Sequence, residues 1–487
     1  MQNRRDQAQA HAFVMGRLVS ALLRAEPDAP MTPLRRFLVG TICGVLLGGL
    51  ALVGFGVYGF FSPGGSTAWR KPGVLVVEKE TGTRYVVVDG VLRPVLNHTS
   101  ARLILGGAPK VVTVSRNSLR DAPHGLPVGI LAAPDHLPDV SRMNADRWRV
   151  CSTVRPDATG KEQPHVTLEV GTTRTAGSAA DDAAVVVRTP ASQIFLVWNN
   201  QRLRVPNLAM LGALGYSAAT VRQVGWSWIN AVPAGPDLVA GDVTARGSAG
   251  PRLDGRASVV GQMFKVSGVG TGEPDQFFVM LDDGLSPMTT VGAALMLADT
   301  ATRAAYPGTR VTVLELNPAT LAQSRLSAFS SVNQALPAEP PRLMQVNPGQ
   351  VPCLSISLTG DGPEVRLGVG EPPDVAKDPF GGGADQIVVA PGAGLLVQDL
   401  PGPGVPGGTR YLVVDSGVRY PIPSVEVVKT LGYGAVPALP VPASILALLP
   451  VGRALEPAAA RATAPFEAPG PSSTDGARPA GGSGATD

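Results

Sequence analysis

The sequence is poor in charged and aromatic residues. Charged residues make up 16% of the 487 positions, aromatic residues make up 5%, and the net charge at pH 7 is only +3. Nucleic-acid binding needs a clustered basic face, and binding of single strands also needs aromatic rings for base stacking. The composition therefore argues against a nucleic-acid-binding protein. Glycine (58) and proline (46) are instead abundant, which indicates short elements and many turns.

Motifs of catalysis and metal binding are also missing. No GxxxxGK followed by Ser or Thr occurs, so the sequence predicts no phosphate-binding loop. GxSxG, HExxH and CxxC are absent as well. None of the five histidines lies at metal-ligand spacing from another histidine or a cysteine. We therefore predict no catalytic residue, no metal site and no cofactor.

One apolar segment is long enough to cross a membrane. Residues 37–61 carry no charge, and a hydrocarbon core ~30 Å thick needs about 20 such residues. A cleaved signal peptide has a shorter apolar region closer to the start, so the pattern favours a retained span. Because Arg35 and Arg36 directly precede it, we expect a cytoplasmic N-terminus and an extracytoplasmic C-terminal bulk.

The N-terminal region offers two further contact surfaces. Residues 1–36 predict a cytoplasmic amphipathic helix followed by a proline-containing linker. This helix suits either the inner membrane surface or a cytoplasmic partner. Within the span, Gly40, Gly44 and Gly48 share one helix face and predict close packing against another helix. Glycine is also generally common in spanning helices, which is the alternative explanation.

An apolar strand, a polar turn and a proline recur four times after the span. The occurrences lie at 85–95, 195–206, 277–288 and 411–422. Their Asp-Gly, Asn-Asn and Asp-Ser-Gly turns reverse a strand readily. Each unit is predicted to begin as a hairpin, to continue as a helix and to end in a proline-marked tail. The third unit keeps only the hairpin and the helix clearly.

The spacing of the repeats is irregular, which argues against a solenoid. It leaves two inserts that could pair into a central domain. Cys151 lies in the first insert and Cys353 in the second, whereas Cys43 lies within the span. Outside the cytoplasm a disulfide between them can persist, and closing a loop of about 200 residues removes on the order of 5 kcal/mol of denatured-state freedom. Two free buried cysteines are the alternative.

The predicted fold class is α+β, with one N-terminal transmembrane helix followed by an extracytoplasmic region of four β-rich repeat subdomains around a central mostly-β domain. The last segment has almost no large apolar residues, so it is predicted to be disordered. The predicted boundaries are 1–36 for the cytoplasmic part, 37–61 for the span, 74–138, 185–240, 257–322 and 385–455 for repeats 1 to 4, 139–184 and 323–384 for the two parts of the central domain, and 456–487 for the disordered tail.

Three stretches carry a resemblance to a known family. They read QAHAFVMGRLVSALLRAEPD at 9–28, PGGSTAWRKPG at 63–73 and EKETGTRYVVVDGVLRPVLNHTSARLIL at 78–105. With the span between the first two, they make the chain similar over nearly its whole length to EccB. The EccB family is the single-span component of the type VII (ESX) secretion core complex.

The resemblance implies a structural subunit of this membrane-embedded complex, which its extracytoplasmic domain stabilises. It implies four repeats around a central domain, and a disulfide whose positions Cys151 and Cys353 occupy. It also implies self-association through the extracytoplasmic domain. The implied partners are the motor ATPase EccC, the subunits EccD and EccE, and the mycosin protease. The implied location is the inner (plasma) membrane.

Two other functions are kept as alternatives. The first is an extracytoplasmic nucleotide hydrolase with ATP as its ligand, because ATPase activity is attributed to some family members. The missing phosphate-binding loop argues against this enzyme. The second is a peptidoglycan-binding module, because small repeated β-rich units often bind glycans. Neither alternative excludes a structural role.

Overall fold

The chain folds into two compact units. The first comprises Met1–Pro94 and Lys110–Gly125, and the second comprises Val95–Pro109 and Leu126–Asp487. The structure is a computed structural model, and the residues it describes are 4–25, 33–61, 66–143, 145–174, 177–178, 183–217, 220–268, 274–328, 335–359, 362–374, 383–400, 405 and 407–464.

Two helices open the first unit, at Arg4–Arg24 and Pro33–Phe61. From Phe37 to Gly59 the second helix has a mean hydropathy of 2.2, which is high enough to cross a membrane. The Thr41 hydroxyl donates to the Phe37 carbonyl at 2.8 Å, so this polar group is satisfied within the helix. One apolar N-terminal helix followed by a β-rich region is thus confirmed.

The first repeat forms a four-stranded sheet within the first unit. Three antiparallel strands are followed by a fourth that lies parallel to the first, and this parallel strand forms one edge. Trp69, Val76 and Leu92 fill the core of this sheet. In chain order the strands are Val74–Glu78, Arg84–Val88, Val91–Pro94 and Lys110–Val114.

Three sheets of the second unit have the same strand order. The predicted hairpin is the second and third strand of each sheet, and a first strand that the repeat pattern did not predict precedes it. The first strands are mostly buried apolar runs, whose sequences carry no turn signal. The strands are Ala183–Arg188, Ile194–Trp198, Gln201–Val205 and Arg222–Gln223 in repeat 2, Met263–Val266, Gln276–Met280, Leu285–Met288 and Val313–Glu315 in repeat 3, and Leu395–Leu400, Arg410–Val413, Arg419–Ile422 and Leu439–Pro442 in repeat 4.

A helix separates the third and fourth strands of every repeat. Each begins after a side chain that accepts a hydrogen bond from the backbone amide three residues later, which satisfies an otherwise unpaired donor. The four capping residues are Asn97, Asn207, Thr289 and Ser424. The helices are His98–Leu105, Leu208–Ala213, Thr290–Ala298 and Val425–Thr430. Of these, His98–Leu105 belongs to the second unit.

The tail of each repeat returns to the third strand as a short parallel bridge. The bridged pairs are Leu92 with His124, Arg202 with Ala234, Leu285 with Leu326 and Arg419 with Val451. In each pair the amide of the third-strand residue donates to the carbonyl of the tail residue just before the bridged one. The carbonyl of the third-strand residue accepts from the amide of the tail residue just after it. The residue after the bridge is Gly125, Gly235, Ser327 or Gly452. Repeat 3 therefore also has a tail, which its sequence does not show clearly.

A six-stranded sheet joins the two inserts. Its strands are Arg147–Pro156, Glu162–Val170, Gly177–Ser178, Val351–Thr359, Gly362–Gly370 and Gln386–Val389. The first and fourth of them pair antiparallel at its centre. Gln386–Val389 pairs with Glu162–Val170, so this segment belongs to the central sheet and not to repeat 4, where the prediction placed it. Its four residues carry no turn that would have marked the change.

The central sheet shares one hydrophobic core with repeats 2 and 4. Trp148, Leu168 and Leu354 from the central sheet pack together with Val187 of repeat 2 and Val397 of repeat 4. Trp228 is completely buried in the same core, where its indole N–H donates to the Val150 carbonyl at 3.1 Å. Because their apolar faces are buried together, these sheets fold as one body within the second unit.

Several short elements complete the described chain. A hairpin of Ala249–Leu253 and Arg256–Val259 precedes the first strand of repeat 3, and Arg342–Leu343 adds to the first strand of repeat 2. The remaining helices are short 3₁₀ turns at Ala68–Arg70, Val140–Arg142 and Thr300–Ala305, and α-helices at Arg116–Leu119, Trp226–Ala231, Pro318–Gln323, Ala443–Leu446 and Pro457–Arg461.

The C-terminal tail is ordered further than predicted. Disorder was expected from 456 onwards, but Pro457–Arg461 is a helix that packs against His98–Leu105. Ala460 is completely buried, and Arg461 donates to the Ile104 carbonyl at 3.2 Å. Alanine favours helix formation and its small side chain allows close packing, so a segment without large apolar residues still orders. The rest of the predicted tail, 465–487, lies outside the described residues.

The tail glycine of repeat 4 provides a test of this packing. A methyl group on Gly452 would lie 2.4 Å from the Tyr420 ring, which is buried and held by a hydrogen bond from its hydroxyl to the Ala132 carbonyl. Gly452→Ala should therefore destabilise the second unit by about 1–3 kcal/mol through overpacking. Thermal unfolding of the full chain in detergent should show a Tm several degrees lower. Gly107→Ala is the control, because an added methyl there meets no atom within 4 Å; an equal loss in both variants would contradict the packing argument.

Candidate functional site

The apolar helix presents an open surface. None of the side chains in its most apolar window is buried against the described part of the protein. A methyl group added at Gly40, Gly44 or Gly48 would meet no atom within 4 Å. These three glycines follow one helix face. The structure therefore leaves this face free for lipid or for another helix, and the predicted packing role stays a prediction.

The N-terminal helix also carries an exposed apolar face. Phe13, Val14, Leu18 and Leu22 are each more than half exposed, at 66%, 55%, 51% and 78%. Positions 14, 18 and 22 are four residues apart, so they lie on one side of the helix. The Arg17 guanidinium lies 5.8 Å from the centre of the Phe13 ring. This combination of basic and apolar groups suits a membrane surface or a protein partner.

A disulfide lies at the centre of the second unit. Cys151 and Cys353 are directly opposite each other on the paired strands Arg147–Pro156 and Val351–Thr359. Their Cα atoms are 4.1 Å apart, and the two residues are 202 positions apart in the chain. Both cysteines are completely buried. The bond expected from the sequence is present, and it joins the two inserts.

A buried ion pair stands beside the disulfide. Arg149 donates from Nε to Glu169 Oε2 at 2.5 Å across neighbouring strands, and from Nη2 to the Glu371 carbonyl at 3.2 Å. The Arg149 side chain is 3% exposed and the Glu169 side chain 11%. Removing one partner of such a pair leaves an uncompensated buried charge. Sequence reasoning missed this pair, because nothing in either strand alone shows that the other is its neighbour.

The first unit contains a small polar cleft of about 380 Å³. Glu78 accepts from Arg116 Nε at 2.8 Å and from the Tyr85 hydroxyl at 3.2 Å. The hydrogen bond from Arg116 holds the pKa of Glu78 below its ordinary value. Burial raises the pKa of the Tyr85 hydroxyl. Both shifts move titration away from neutral pH, so neither group is tuned for proton transfer there.

The histidines do not form a metal centre in the residues that the structure describes. Across those ranges no three side chains from His, Cys, Asp or Glu are placed to hold a metal ion. Burial lowers the pKa of His165, which favours its neutral form. Catalytic, cofactor-binding and metal residues were predicted to be absent, and that remains a prediction.

These features define a class of protein: a single-span membrane protein whose large C-terminal region contains repeated small sheets and a disulfide-bonded central sheet. The family model for the type VII secretion system ESX-1, transport TM domain B, matches residues 2–465. The chain belongs to this family, the EccB family. The resemblance predicted from the sequence is thereby confirmed.

Named relatives are similar over most of their length. ESX-3 secretion system ATPase EccB3 of Mycolicibacterium smegmatis is 30% identical over 481 residues, which cover 93% of this chain and 89% of the relative. ESX-1 secretion system ATPase EccB1 of Mycobacterium tuberculosis is 25% identical over 434 residues, 86% of each chain.

Solved structures agree with the fold. An EccB3 dimer from the ESX-3 core complex aligns with a TM-score of 0.62 at 27% identity, covering 80% of this chain and 100% of that one. A chain of an intact ESX-5 inner membrane complex aligns with a TM-score of 0.62 over 96% of both chains. At 23% identity the second comparison supports the fold alone.

Removing the disulfide should weaken the second unit strongly. Cys353→Ser opens a loop of 202 residues, and the chain-entropy model then gives a loss of about 5 kcal/mol. Thermal unfolding of the full chain should show a clearly lower Tm. Cys43→Ser is the matched control because Cys43 is a free cysteine in the membrane helix; equal Tm values for Cys353→Ser and Cys43→Ser would contradict the assignment.

Proposed function

We propose that this chain is a structural subunit of a membrane-embedded type VII (ESX) secretion complex. The observation that carries the proposal is the family match over residues 2–465, which includes the N-terminal helix, the span and the repeats together. A match confined to the repeats would support a shared fold and little more. The match over both parts supports a shared position in the membrane.

The proposed topology places the N-terminus in the cytoplasm and the repeats on the other side of the membrane. Arg4, Arg5, Arg17 and Arg24 precede the span, with Arg35 and Arg36 at its boundary, whereas Arg70 and Lys71 follow it at a distance. This bias agrees with the positive-inside rule. The disulfide supports the same orientation, because such bonds persist outside the reducing cytoplasm.

The proposed partners are the EccC ATPase, EccD, EccE and the mycosin protease, together with further copies of this chain. Related chains have been solved in an ESX-5 inner membrane complex and as an EccB3 dimer. The action proposed for this subunit is positional. Its span and N-terminal helix provide contacts at the membrane, and its repeats and disulfide-bonded central sheet provide surfaces on which other subunits assemble.

Affinity purification tests this proposal. It also tests the predicted packing of another helix against the face that carries Gly40, Gly44 and Gly48. The tagged chain is purified from native membranes in mild detergent, and mass spectrometry identifies co-purifying proteins. We expect a motor ATPase and a multispanning protein with the parent chain. Gly44→Leu should reduce their recovery severalfold, because a large side chain separates helices that pack through glycine.

Gly49→Leu is the matched control for that experiment. Gly49 is also in the span and also has no atom within 4 Å of an added methyl, but five residues of helix turn it to a different face from Gly44. Equal recovery with both variants would contradict the packing role. Recovery of the parent chain alone, under conditions that keep other membrane complexes intact, would contradict the proposed function.

Relatives are named secretion system ATPases, whereas the proposed role of this chain needs no nucleotide. With no phosphate-binding loop in the sequence, we expect the purified full chain to hydrolyse no ATP above the buffer blank. Turnover should be measured after mass spectrometry has shown that no motor ATPase remains. Turnover that rises in proportion to the chain and persists after that purification would favour the enzyme.

A further inference from the structure

Lys110–Val114, the fourth strand of repeat 1, has an uncovered edge. This strand pairs with Val74–Glu78 on one side, and it is the last strand of its sheet. No strand within the described ranges of the chain pairs with its outer side. Lys110 and Thr113 are exposed, and Val111 is 55% exposed. An unpaired edge of this kind is a template for another strand.

The hydrogen bonds that Lys110–Val114 makes to its own sheet show which of its backbone groups face away from the sheet. The Lys110 amide donates to the Gly73 carbonyl at 3.2 Å, and the Val114 carbonyl accepts from the Lys79 amide at 2.8 Å. In a parallel pair, alternate residues direct both backbone groups at the same neighbour. Lys110, Val112 and Val114 therefore bond inwards. Val111 and Thr113 direct two N–H and two C=O groups away from the sheet.

The corresponding edges of the other three repeats are shorter or blocked. In repeat 2 the fourth strand has two residues, Arg222–Gln223, and in repeat 3 it has three, Val313–Glu315. In repeat 4 the strand Leu439–Pro442 contains two prolines and contacts the central sheet. Proline cannot donate to a neighbouring strand and so protects an edge. Repeat 1 alone combines five residues, no proline and exposure.

We propose that this edge pairs with the same strand of a second copy of the chain, in an antiparallel arrangement centred on Val112. Val111 then exchanges two backbone hydrogen bonds with Thr113 of the other copy, and Thr113 does the same with Val111 of the other copy. Val112 faces Val112 of the other copy as a non-hydrogen-bonded pair. All four outward groups of each strand are satisfied, and one sheet continues across two subunits.

The strand fits itself better than it fits an arbitrary peptide. In this register Lys110 lies opposite Val114 of the other copy, so the two ammonium groups stay apart. Pro109 ends the strand on one side and the helix Arg116–Leu119 begins just after it on the other. The pairing is therefore limited to one pair of strands and closes as a dimer.

The membrane anchor favours this contact. The span helix ends at Phe61 and the sheet begins at Val74, so copies held in one membrane keep their first repeats at high effective concentration. A five-residue pairing is small by itself and would form part of a larger interface. The inference rests on the proposed function, in which several copies assemble in one complex.

Cysteine cross-linking tests the register. In the full chain with Cys43→Ser, Val112→Cys brings the two new thiols together on directly opposed residues, the arrangement that Cys151 and Cys353 already show. Mild oxidation in native membranes should give a covalent dimer, and mass spectrometry should find the cross-linked peptide. Lys110→Cys is the control, because its Cα atoms would be about 14 Å apart in this register, beyond the ~7 Å limit for a disulfide.

We expect roughly tenfold more dimer from Val112→Cys than from Lys110→Cys, since only the first pair lies within disulfide reach. Equal yields would overturn the register and the proposal with it. A cross-link from Val112→Cys to a different protein would overturn the second copy as the occupant. If either happens while the other secretion subunits still co-purify, the proposed function stands and this interface alone is rejected.

A proline substitution tests the pairing without cysteines. The Val111 amide faces outwards, and proline is tolerated on an edge strand at such a position. Val111→Pro should lower the dimer fraction measured by light scattering in detergent, with an unchanged Tm. Val111→Thr keeps the amide and the β-branched shape, so it should behave like the parent chain. A dimer fraction that is the same in both variants would overturn the proposal.

Discussion

The pairing of Arg147–Pro156 with Val351–Thr359 is the contact on which the second unit depends. It joins segments about two hundred residues apart, and Cys151 and Cys353 fix it covalently. Closing so long a loop costs chain entropy that local contacts do not recover. Everything between the two strands, including repeats 2 and 3, is the loop that this pair closes. The disulfide stabilises the closure by restricting the unfolded chain.

Repeats 2 and 4 depend on this strand pair because they share one hydrophobic core with it. Trp148 and Leu354 of the two paired strands lie in the same cluster as Val187 of repeat 2 and Val397 of repeat 4. Repeat 3 contacts this core indirectly, through repeat 2. Val291 and Leu295 of its helix pack with the core of repeat 2. Loss of the central pairing would therefore expose apolar surface in several repeats at once.

The turns of the repeats could be predicted because their residues carry a local physical reason. Asp89 and Gly90 have φ values of 51° and 78°, and Asn199 and Asn200 have 46° and 57°. These residues tolerate the left-handed conformation that a tight hairpin needs. The disulfide could be predicted because Cys151 and Cys353 are the two cysteines of the sequence that lie outside the apolar segment. The family resemblance then added the span, the repeats and the central domain as one arrangement.

Other features depend on neighbours that are distant in the sequence. The strand Arg222–Gln223 has two residues and exists because Ala183–Arg188 lies beside it. Gln386–Val389 is a strand of the central sheet only because Glu162–Val170 offers an edge. The Arg149–Glu169 pair is stable because both strands are already in register. The sheet that each segment joins is decided by a partner strand distant in the sequence, so the local pattern does not mark it.

One fold unit used four times can acquire four different roles through its edges. The strand order is the same in every repeat, and the tail bridge recurs at the third strand of each. The differences lie in the fourth strand, which in repeat 4 is half-buried, contains two prolines and contacts the central sheet, and in repeat 1 is largely exposed and rich in β-branched residues. A buried edge joins a repeat to its own chain, whereas an exposed edge is free to join another. In a subunit whose proposed role is to hold other subunits in place, these edges are where repeats of the same strand order differ in structure.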